Sequence, residues 1–345
     1  MNTGPILTIA IPTYNMEWCL KKNLSTYCIQ DLDLPLEVII LNNCSSDRTL
    51  EIAQDFCQKF PQIFKLCNRT TKGYGSSINE ALKIARGKYF RIIDADDWVD
   101  TEELQQFLRA LKHFDADIIQ TDYTIVDMQT GKKIPKIAQR NEIKYGIMYS
   151  DFSCALKTLP AIHSTTYRTE LLREHGFYMQ DETFFVDEEY IVLPFLYAET
   201  ILYLPYNVYQ YQVSNPEQST SPRNRGKYAK HRERVIKRIS SEFMTWTQLH
   251  PLSNTAKSTH AEEYCAYRIM SSVADHFTTL YIYVDNRKMG RILAKRWKKD
   301  LSFWIDFRCE IKIMVLSILN LTKITPVQYI KLKGVVKRLR GHLEC

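Results

Sequence analysis

Short apolar runs alternate with amphipathic stretches through the first hundred residues of this chain. The runs are rich in Ile, Leu and Val, which is typical of buried strands, and they cover residues 6–11, 36–41, 63–67 and 88–93. The stretches between them have helical spacing, at residues 17–28, 48–59 and 73–87. A regular alternation of strand and helix predicts a doubly wound α/β layer, in which a mostly parallel sheet is flanked by helices.

Polar residues follow three of these predicted strands. They are Pro12-Thr13-Tyr14-Asn15 after the first strand, Asn42-Asn43 after the second and Asp94-Ala95-Asp96-Asp97 after the fourth. Parallel sheets bind their ligands at the carboxyl ends of the strands. We therefore expect the three loops to share one cleft.

The pattern changes twice along the rest of the chain. Residues 117–136 read as extended segments around a Gln-Thr-Gly turn, and residues 151–212 mix helix and strand signals. Residues 226–345 have a mainly helical pattern that is rich in Lys and Arg. We predict two domains, an α/β domain at 1–225 and a helical domain at 226–345.

Composition and targeting signals limit the class of protein. The 345 residues are 45% hydrophobic and 25% charged, which excludes a mostly disordered chain. The nine cysteines are scattered without a C-x-x-C pair, so we expect neither a zinc site nor a disulfide framework. No apolar window reaches the roughly 18 residues of a membrane span, and the N-terminus lacks the features of a signal peptide. These observations predict a cytoplasmic protein.

The acidic cluster after the fourth predicted strand is the main candidate for chemistry. Its three carboxylates, Asp94, Asp96 and Asp97, repel one another at the mouth of a buried strand. A divalent cation such as Mg²⁺ or Mn²⁺ relieves that repulsion and takes its other ligands from water and phosphates. The alternative is structural, because Asp is also favoured where a helix begins and a helix is predicted from about Thr101.

Four motifs occur in the order found in one known enzyme family. They are Ile9-Ala10-Ile11-Pro12-Thr13-Tyr14-Asn15, Asn42-Asn43-Cys44-Ser45-Ser46-Asp47, Gly73-x-Gly75-x-x-x-Asn79, and Gly87-Lys88-Tyr89 followed by Asp94-Ala95-Asp96-Asp97-Trp98. Together they resemble the nucleotide-sugar domain of glycosyltransferase family 2, especially bacterial enzymes that build capsular and extracellular polysaccharides. The resemblance implies the GT-A fold, a Rossmann-like sheet flanked by helices. It covers residues 5–125 and, less closely, residues 150–220.

The resemblance implies a nucleotide site built from the loops after the first two strands. Pro12, Thr13 and Tyr14 match a family loop beside the nucleobase, where Tyr14 offers a ring for stacking. The family usually has an Asp that accepts a hydrogen bond from uracil, and here Asn42 and Asn43 stand instead. Because an Asn carbonyl accepts the same bond, a UDP-sugar is the expected donor and another base stays open.

The other two motifs imply contacts to the diphosphate and the metal. Gly73 and Gly75 match a loop that passes close to the nucleotide, where glycine permits close approach. Asp96 matches the family's metal ligand. Asp94 matches the residue that contacts ribose or supports the metal, and Asp97 shares either task.

A second acidic segment matches the family's catalytic base. An inverting transfer needs a group that removes the proton from the acceptor hydroxyl. Asp187 aligns with that base and Glu188 is the second candidate, although Val186 replaces a Glu that is common in the family. The alternative is an ordinary first turn of a helix, where acids are favoured by the helix dipole.

Two further segments of the family's pattern lie near the acceptor and the diphosphate. His163 matches a residue lining the acceptor pocket, with a histidine packed in the core as the alternative. Gln218 and Ser219 match a lid that closes over the diphosphate.

The positive charge of the chain is concentrated near its C-terminus. Residues 287–345 contain 15 Lys and Arg against 4 Asp and Glu, a net charge of +11, whereas the remainder has a net charge of −4. Basic amphipathic helices lie on anionic membrane surfaces, so we expect a peripheral contact with the inner face of the plasma membrane. The alternative is a solvated helical bundle. No nucleic-acid-binding module is present in the sequence.

These features together predict an inverting, metal-dependent glycosyltransferase. It would move a sugar from a nucleotide diphosphate to a saccharide on a polyprenyl diphosphate carrier. A nucleotidyltransferase would favour a Gly-rich, Lys-containing loop after the first strand, and a dinucleotide oxidoreductase would need G-x-G-x-x-G there; residues 12–15 supply neither. A non-catalytic protein that binds nucleotide sugars on the same fold remains an alternative, favoured by Asn42-Asn43.

Overall fold

The computed structural model describes residues 4–29, 36–138, 143–214, 222–250 and 256–333. The chain divides into two compact units. The first unit contains residues 1–215 together with 242–265, and the second contains 216–241 together with 266–345. The predicted domain boundary near residue 225 remains a prediction.

One sheet of ten strands forms the centre of the first unit in the described part of the chain. The strands are β1 Leu7–Thr13, β2 Leu36–Asn43, β3 Phe64–Arg69, β4 Tyr89–Ile92, β5 Trp98–Val99, β6 Ile118–Asp127, β7 Lys133–Lys136, β8 Met148–Tyr149, β9 Thr165–Arg168 and β10 Ile201–Val213. The helices are α1 Leu20–Ser25, α2 Thr49–Lys59, α3 Tyr74–Ile84, α4 Thr101–Leu111, α5 Ser153–Thr158, α6 Thr169–Glu174 and α7 Asp187–Val192, with 3₁₀ turns at Ile162–Ser164 and Leu193–Leu196.

The order of the main strands is β3-β2-β1-β4-β9-β6-β10-β5. The strands β3, β2, β1 and β4 run parallel, β9 runs antiparallel between β4 and β6, and β10 runs parallel to β6. The predicted mostly parallel α/β class is confirmed. The predicted hairpin around Gln-Thr-Gly is also confirmed, because β6 and β7 pair antiparallel across it.

Helices cover the sheet, which explains why β1 and β2 are buried along their whole length. Side chains of α1, α2 and α4 share one apolar cluster with alternate residues of β1 and β2. The helix α3 contacts the same two strands with its own buried residues, Ile78, Ala81 and Leu82, which lie outside that cluster. Because both faces of these strands are buried, apolar residues follow one another without interruption, which produces the continuous apolar runs in the sequence.

The helix predicted at residues 17–28 is shorter than expected, since α1 begins only at Leu20. Glu17 is held by the loop before α2. Its backbone N–H donates to the Asp47 carboxylate at 3.1 Å, and its own carboxylate accepts from the Arg48 N–H at 2.9 Å. These bonds to a distant loop replace the first helical turn.

The fully buried Arg91 of β4 ties together three parts of the sheet. Its guanidinium donates to the hydroxyls of Thr121 and Thr166 and to the carbonyl of His163, the last at 2.6 Å. Burial lowers the pKa of Arg91 to about 10, so the side chain remains charged at neutral pH. This internal charge could not be predicted from the sequence, because Arg91 lies within an apolar strand and its partners are distant in the chain.

The second unit is helical over its described residues. It contains α8 Pro222–Lys227, parts of α9 Ala229–Leu249 and α10 Ala256–Thr278, a π-helical turn at Thr279–Tyr283, α11 Arg287–Asp300, a 3₁₀ turn at Ser302–Trp304 and α12 Phe307–Leu321; residues 326–333 are also helical. An Asp275 carboxylate oxygen binds Arg225 at 2.5 Å and Arg232 at 2.7 Å. Among the described residues, no helix is both long and apolar enough to cross a bilayer.

Glu37, the second residue of the buried strand β2, binds two cationic side chains. Its carboxylate accepts from the Thr8 hydroxyl, from Lys65 Nζ and from both the backbone and the side chain of Arg86, at 2.7 to 2.8 Å. Burial alone raises the pKa of Glu37, but these hydrogen bonds outweigh it and lower the pKa to about 2. The carboxylate is therefore ionised across the whole physiological range.

Replacement of this buried carboxylate should destabilise the sheet. We expect Glu37→Gln to lower the free energy of unfolding by about 1–3 kcal/mol, because charged hydrogen bonds become neutral ones. A carboxylate with a depressed folded-state pKa stabilises the fold above its ordinary pKa, and that contribution is lost as the pH falls toward about 2. The difference between the two proteins should therefore shrink below pH 4.5 in urea titrations.

The matched control is Glu51→Gln, which removes a carboxylate from an exposed ion pair with Arg48. It should leave the midpoint of the urea transition unchanged. Equal shifts for the two variants would contradict the role assigned to Glu37.

Candidate functional site

Hydrogen bonds connect the loops after β1 and β2 at the carboxyl end of the sheet. The Asn15 N–H donates to the Ser45 hydroxyl at 3.0 Å, and the Asn15 side-chain carbonyl accepts from the Ser46 N–H at 2.9 Å. The Met16 N–H donates to the Thr49 hydroxyl at 2.7 Å. The two predicted nucleotide loops therefore lie side by side.

The three residues predicted beside the nucleobase differ in exposure. Pro12 and Thr13 are buried, and the Thr13 hydroxyl donates to the Leu41 carbonyl at 3.0 Å. Tyr14 is 41% exposed, and Lys72 Nζ donates to its hydroxyl at 2.6 Å. Only Tyr14 of these three presents a side chain that a base could stack on.

Both asparagines at the end of β2 are already engaged. The Asn42 amide donates to the Asn68 side chain at 2.8 Å, and the Asn43 side-chain carbonyl accepts from Arg69 at 2.5 Å. The base contact predicted for Asn43 uses this same carbonyl oxygen. An incoming base would have to share it with the guanidinium, which leaves the predicted contact untested.

Arg69 is the residue on this side of the site that sequence reasoning undervalued. Its guanidinium also donates to the Glu80 carboxylate at 2.9 Å, to the Gly73 carbonyl at 3.0 Å and to the Ser76 hydroxyl at 2.7 Å. The fork of N–H donors thus joins the ends of β2 and β3 to the first turn of α3.

Gly73 and Gly75 permit a close approach of the chain itself. A Cβ added at Gly73 would lie 2.0 Å from the Asp181 carboxylate, and one at Gly75 would lie 2.1 Å from the Gln180 carbonyl oxygen. Gly73 also has a φ of 151°, which L side chains rarely adopt. The two glycines therefore allow residues 179–181 to pack against the start of α3. This segment ends six residues before Asp187.

The acidic loop after β4, residues 94–97, is held in place by a side chain of α1. The Asn23 side chain donates to the carbonyls of Asp94 and Asp97, at 3.2 and 2.8 Å. The helix α4 is capped by Asp100, whose carboxylate accepts from the Glu103 N–H at 3.1 Å. The helix-capping role considered for the acidic cluster is therefore performed by Asp100. Asp94, Asp96 and Asp97 do not cap α4.

Asp97 is held by β10 through both carboxylate oxygens. The Tyr209 hydroxyl donates to one at 2.5 Å, and the Gln212 N–H donates to the other at 2.6 Å. Burial, with the charges of Asp96 and Asp94, raises the pKa of Asp97 well above its ordinary value. The Asp97 carboxylate therefore links the acidic loop to β10. The site predicted from the sequence did not include β10.

Asp94 lies at the same mouth of the sheet. Its carboxylate accepts from the Tyr74 hydroxyl at 2.9 Å, and its N–H donates to the Tyr209 hydroxyl at 3.2 Å. Burial and the charge of Asp96 raise the pKa of Asp94 to about 7. Burial also raises the pKa of Asp96. A cation at this position would reverse these shifts by stabilising the charged carboxylates.

His163 packs against the acidic loop. Its ring stacks on Tyr211 at a centroid distance of 3.9 Å and meets the edge of Tyr209 at 4.9 Å. Burial and the charge of Arg91 lower the pKa of His163 to about 3, so the imidazole is neutral. The predicted acceptor role of His163 remains a prediction, and the structure adds proximity to the carboxylates.

Ligand atoms of Asp94, Asp97 and His163 lie within 4.8 Å of one another. Carboxylate oxygens and a neutral imidazole nitrogen are ligands that Mn²⁺ accepts. The group fits a divalent cation, and it differs in part from the predicted set of Asp94, Asp96 and Asp97. Asp96 is adjacent in sequence but lies outside this group.

The second acidic segment forms the first turn of α7, as both its catalytic and its structural interpretation require. The fully buried Glu189 accepts from the Gln180 N–H at 2.8 Å, so it fixes the preceding loop. Asp187 and Glu188 are half-buried. The charge of Asp187 adds to the raised pKa of Asp94, after the larger effects of burial and of Asp96, so the two carboxylates interact electrostatically. Gln218 and Ser219 lie outside the described residues.

Residues 8–176 match the profile of the family described as Glycosyl transferase family 2. This range contains β1 to β4, the acidic loop and His163, and the four predicted motifs occur in it in the expected order. The chain belongs to glycosyltransferase family 2.

Two bacterial relatives show how much of this chain is similar to other proteins. EpsJ of Bacillus subtilis, an uncharacterized glycosyltransferase, is 25% identical over 220 residues, which are 63% of each chain. TarS of Staphylococcus aureus, a poly(ribitol-phosphate) beta-N-acetylglucosaminyltransferase, is 24% identical over 206 residues, which are 59% of this chain and 35% of TarS. The match thus spans less than two thirds of the length of these relatives.

Crystal structures of TarS residues 1–349 share the fold of this family 2 glycosyltransferase. The structure of TarS in complex with UDP-GlcNAc superposes with a TM-score of 0.59 at 18% identity, covering 92% of both chains. The complex with UDP gives a TM-score of 0.60 over the same shares. The comparison confirms the GT-A fold, including a helical C-terminal region.

Loss of the Arg69 fork should loosen the nucleotide side of the site. We expect Arg69→Ala to lower the free energy of unfolding by about 2–4 kcal/mol, because the buried Asn43 and the partly exposed Glu80 lose charged hydrogen bonds to a largely buried guanidinium. Arg69→Lys should recover only part of this loss, since an ammonium cannot reproduce the planar fork. Urea denaturation measures both changes.

The exposed Arg48, which pairs only with Glu51 at the start of α2, supplies the control. Arg48→Ala should leave the transition midpoint in place. A small effect of Arg69→Ala, equal to that of Arg48→Ala, would mean that the fork is not needed to hold β2, β3 and α3 together.

Proposed function

We propose that this chain is an inverting glycosyltransferase that uses a nucleotide-diphosphate sugar, with UDP-GlcNAc as the first donor to test. The proposal is carried by one observation, the meeting of the acidic loop of β4 with the first turn of α7. Asp187 adds to the raised pKa of Asp94, which supports placing the candidate base near the candidate metal site. Family membership and the likeness to TarS, crystallised with UDP-GlcNAc, support this assignment.

The donor would lie across the carboxyl ends of β1, β2 and β4. Tyr14 offers an exposed ring for stacking on the base, and Asn42 and Asn43 stand where uracil is read in the family. Gly73 and Gly75 shape the start of α3 beside this path. The predicted closure of Gln218 and Ser219 over the diphosphate remains part of the proposal.

A divalent cation, Mn²⁺ or Mg²⁺, fits the acidic loop. Asp94 and Asp97 are common to the two candidate ligand sets, and His163 completes one set and Asp96 the other. The cation would supply positive charge to the diphosphate as it leaves. The chain's own contribution is to hold Asp97 rigidly through Tyr209 and Gln212, so that the loop is preorganised.

Asp187 would act as the general base. Its carboxylate takes the proton of the acceptor hydroxyl while that oxygen forms a bond to the anomeric carbon of the donor. The bond from the anomeric carbon to the diphosphate breaks, and its electron pair leaves with the nucleoside diphosphate. Attack from the face opposite the leaving group inverts the anomeric configuration. Glu188 is the alternative base.

The proposed acceptor is a growing cell-surface polysaccharide on a polyprenyl diphosphate carrier. Its support is the resemblance to bacterial enzymes of polysaccharide synthesis and the polymer acceptor in the name of TarS. The basic C-terminal region would place the enzyme on the inner face of the plasma membrane, where such carriers lie. A non-catalytic nucleotide-sugar-binding protein is the second candidate, because Arg69 engages the carbonyl of Asn43.

Donor binding and chemistry can be separated with one isosteric variant. We expect UDP-GlcNAc with Mn²⁺ to raise the melting temperature of both the unmodified protein and Asp187→Asn, because Asp187 is not among the proposed donor or metal ligands. UDP release with water as the acceptor should fall at least about 100-fold in Asp187→Asn, since the base is lost. Glu188→Gln, a neighbouring acid-to-amide change, should retain turnover.

The outcomes distinguish the alternatives. Retained turnover in Asp187→Asn together with loss in Glu188→Gln would move the base to Glu188. Donor-induced stabilisation without UDP release in the unmodified protein would favour the non-catalytic candidate. No stabilisation by UDP-GlcNAc or by other nucleotide sugars would refute the donor assignment.

A further inference from the structure

The helix α12 carries apolar side chains on two opposite faces. One face is buried against its own unit through Cys309, Ile313, Leu316 and Asn320. The other face is exposed, and it consists of Ile311, Met314, Val315, Ile318 and Leu321. At 3.6 residues per turn the centres of the two sets lie about 180° apart around the helix axis. The exposed set is called the outer face of α12 below.

The outer face is too apolar for an ordinary solvated helix. Met314 is 58% exposed, Ile318 is 54% exposed and Leu321 is 65% exposed. Single exposed apolar residues are common, but a contiguous stripe of five at helical spacing marks a surface that contacts something other than water. The surface therefore requires an occupant.

From residue 311 to residue 333 the charge near the outer face is positive. Lys312 interacts with Asp275 of the same unit. Glu310, one turn before Met314, pairs with Lys298 at 3.2 Å. Residues 311–333 contain four lysines, Lys312, Lys323, Lys331 and Lys333, and no Asp or Glu. Two more exposed apolar residues, Val327 and Ile330, follow α12 in the helical segment 326–333. Apolar side chains flanked by cations, with no carboxylate among them, complement an anionic lipid surface.

We propose that the outer face of α12 docks on an anionic bilayer surface. Its five apolar side chains would enter the layer between headgroups and acyl chains, and the neighbouring lysines would contact the lipid phosphates. The helix has 15 residues, fewer than the roughly 20 needed to span a bilayer, so it lies in the plane of the surface.

A second copy of the chain fits this surface less well. In a two-fold dimer the same patch meets itself, so the four lysines would approach their own copies. With no acidic residue between 311 and 333, such an interface has no internal partner for these charges. An anionic surface removes the repulsion that a self-contact would create.

This inference goes beyond the proposed reaction, and its readout does not depend on sugar transfer. Binding of the full chain to sedimented vesicles is measured, with phosphatidylglycerol mixed into phosphatidylcholine or with phosphatidylcholine alone. The test variant is Met314→Glu/Leu321→Glu, which places two carboxylates on the outer face. Circular dichroism and donor-induced stabilisation confirm that each variant is folded.

The matched control is Met244→Glu/Leu249→Glu on α9. It exchanges the same two residue types, both exposed, at 41% and 71%, and changes the net charge equally. Any general weakening by added negative charge therefore appears in both variants. A milder pair, Met314→Ser/Leu321→Ser, removes apolar area without adding charge.

We expect the unmodified chain to bind the anionic vesicles and to bind phosphatidylcholine alone much less. The Met314→Glu/Leu321→Glu variant should lose at least about tenfold in binding, the serine pair should lose a smaller factor, and the α9 control should change by less than about twofold. Failure of the unmodified chain to bind anionic vesicles would overturn the proposal, as would equal losses in both glutamate variants. Light scattering that shows a dimer dissociated by the α12 variant would assign the outer face to a second copy instead.

Discussion

The hydrogen bonds that β10 makes to Asp97 hold the acidic loop in place. The loop leaves β4, in the parallel part of the sheet, whereas Tyr209 and Gln212 belong to β10, on the far side of β9 and β6. One buried carboxylate therefore joins the two halves of the sheet at the point where the candidate chemistry lies. Burying three carboxylates together is costly unless donors or a cation compensate, and the chain supplies donors for Asp97 and Asp94.

The same principle organises the remainder of the site. Arg69 binds the ends of β2 and β3 to α3, and the glycines at the start of α3 admit residues 179–181. That segment is fixed at its other end by Glu189 of α7. A chain of contacts thus runs from the nucleotide loops to the helix that carries Asp187, so the proposed positions of donor and base are linked by one framework.

The sequence predicted the local features of this framework but not its long-range contacts. Apolar runs identified β1 to β4, because strands buried on both faces are continuous in hydrophobicity. The motifs located the loops and Asp187. The contacts that were missed are those of Arg69, Arg91, Tyr209 and Gln212, each of which has at least one partner 26 to 115 positions away in the chain. Neither periodicity nor residue type announces such partners, and Glu17 was misassigned to a helix for the same reason.

We propose that a divalent cation relieves the repulsion among the carboxylates of the acidic loop. Anomalous diffraction from crystals grown with Mn²⁺ and UDP-GlcNAc locates that cation directly. We expect an anomalous peak within about 2.0–2.3 Å of an Asp94 carboxylate oxygen, and the same map shows whether His163 or Asp96 completes the site. A donor-bound crystal at saturating Mn²⁺ with no peak beside Asp94 would contradict this proposal.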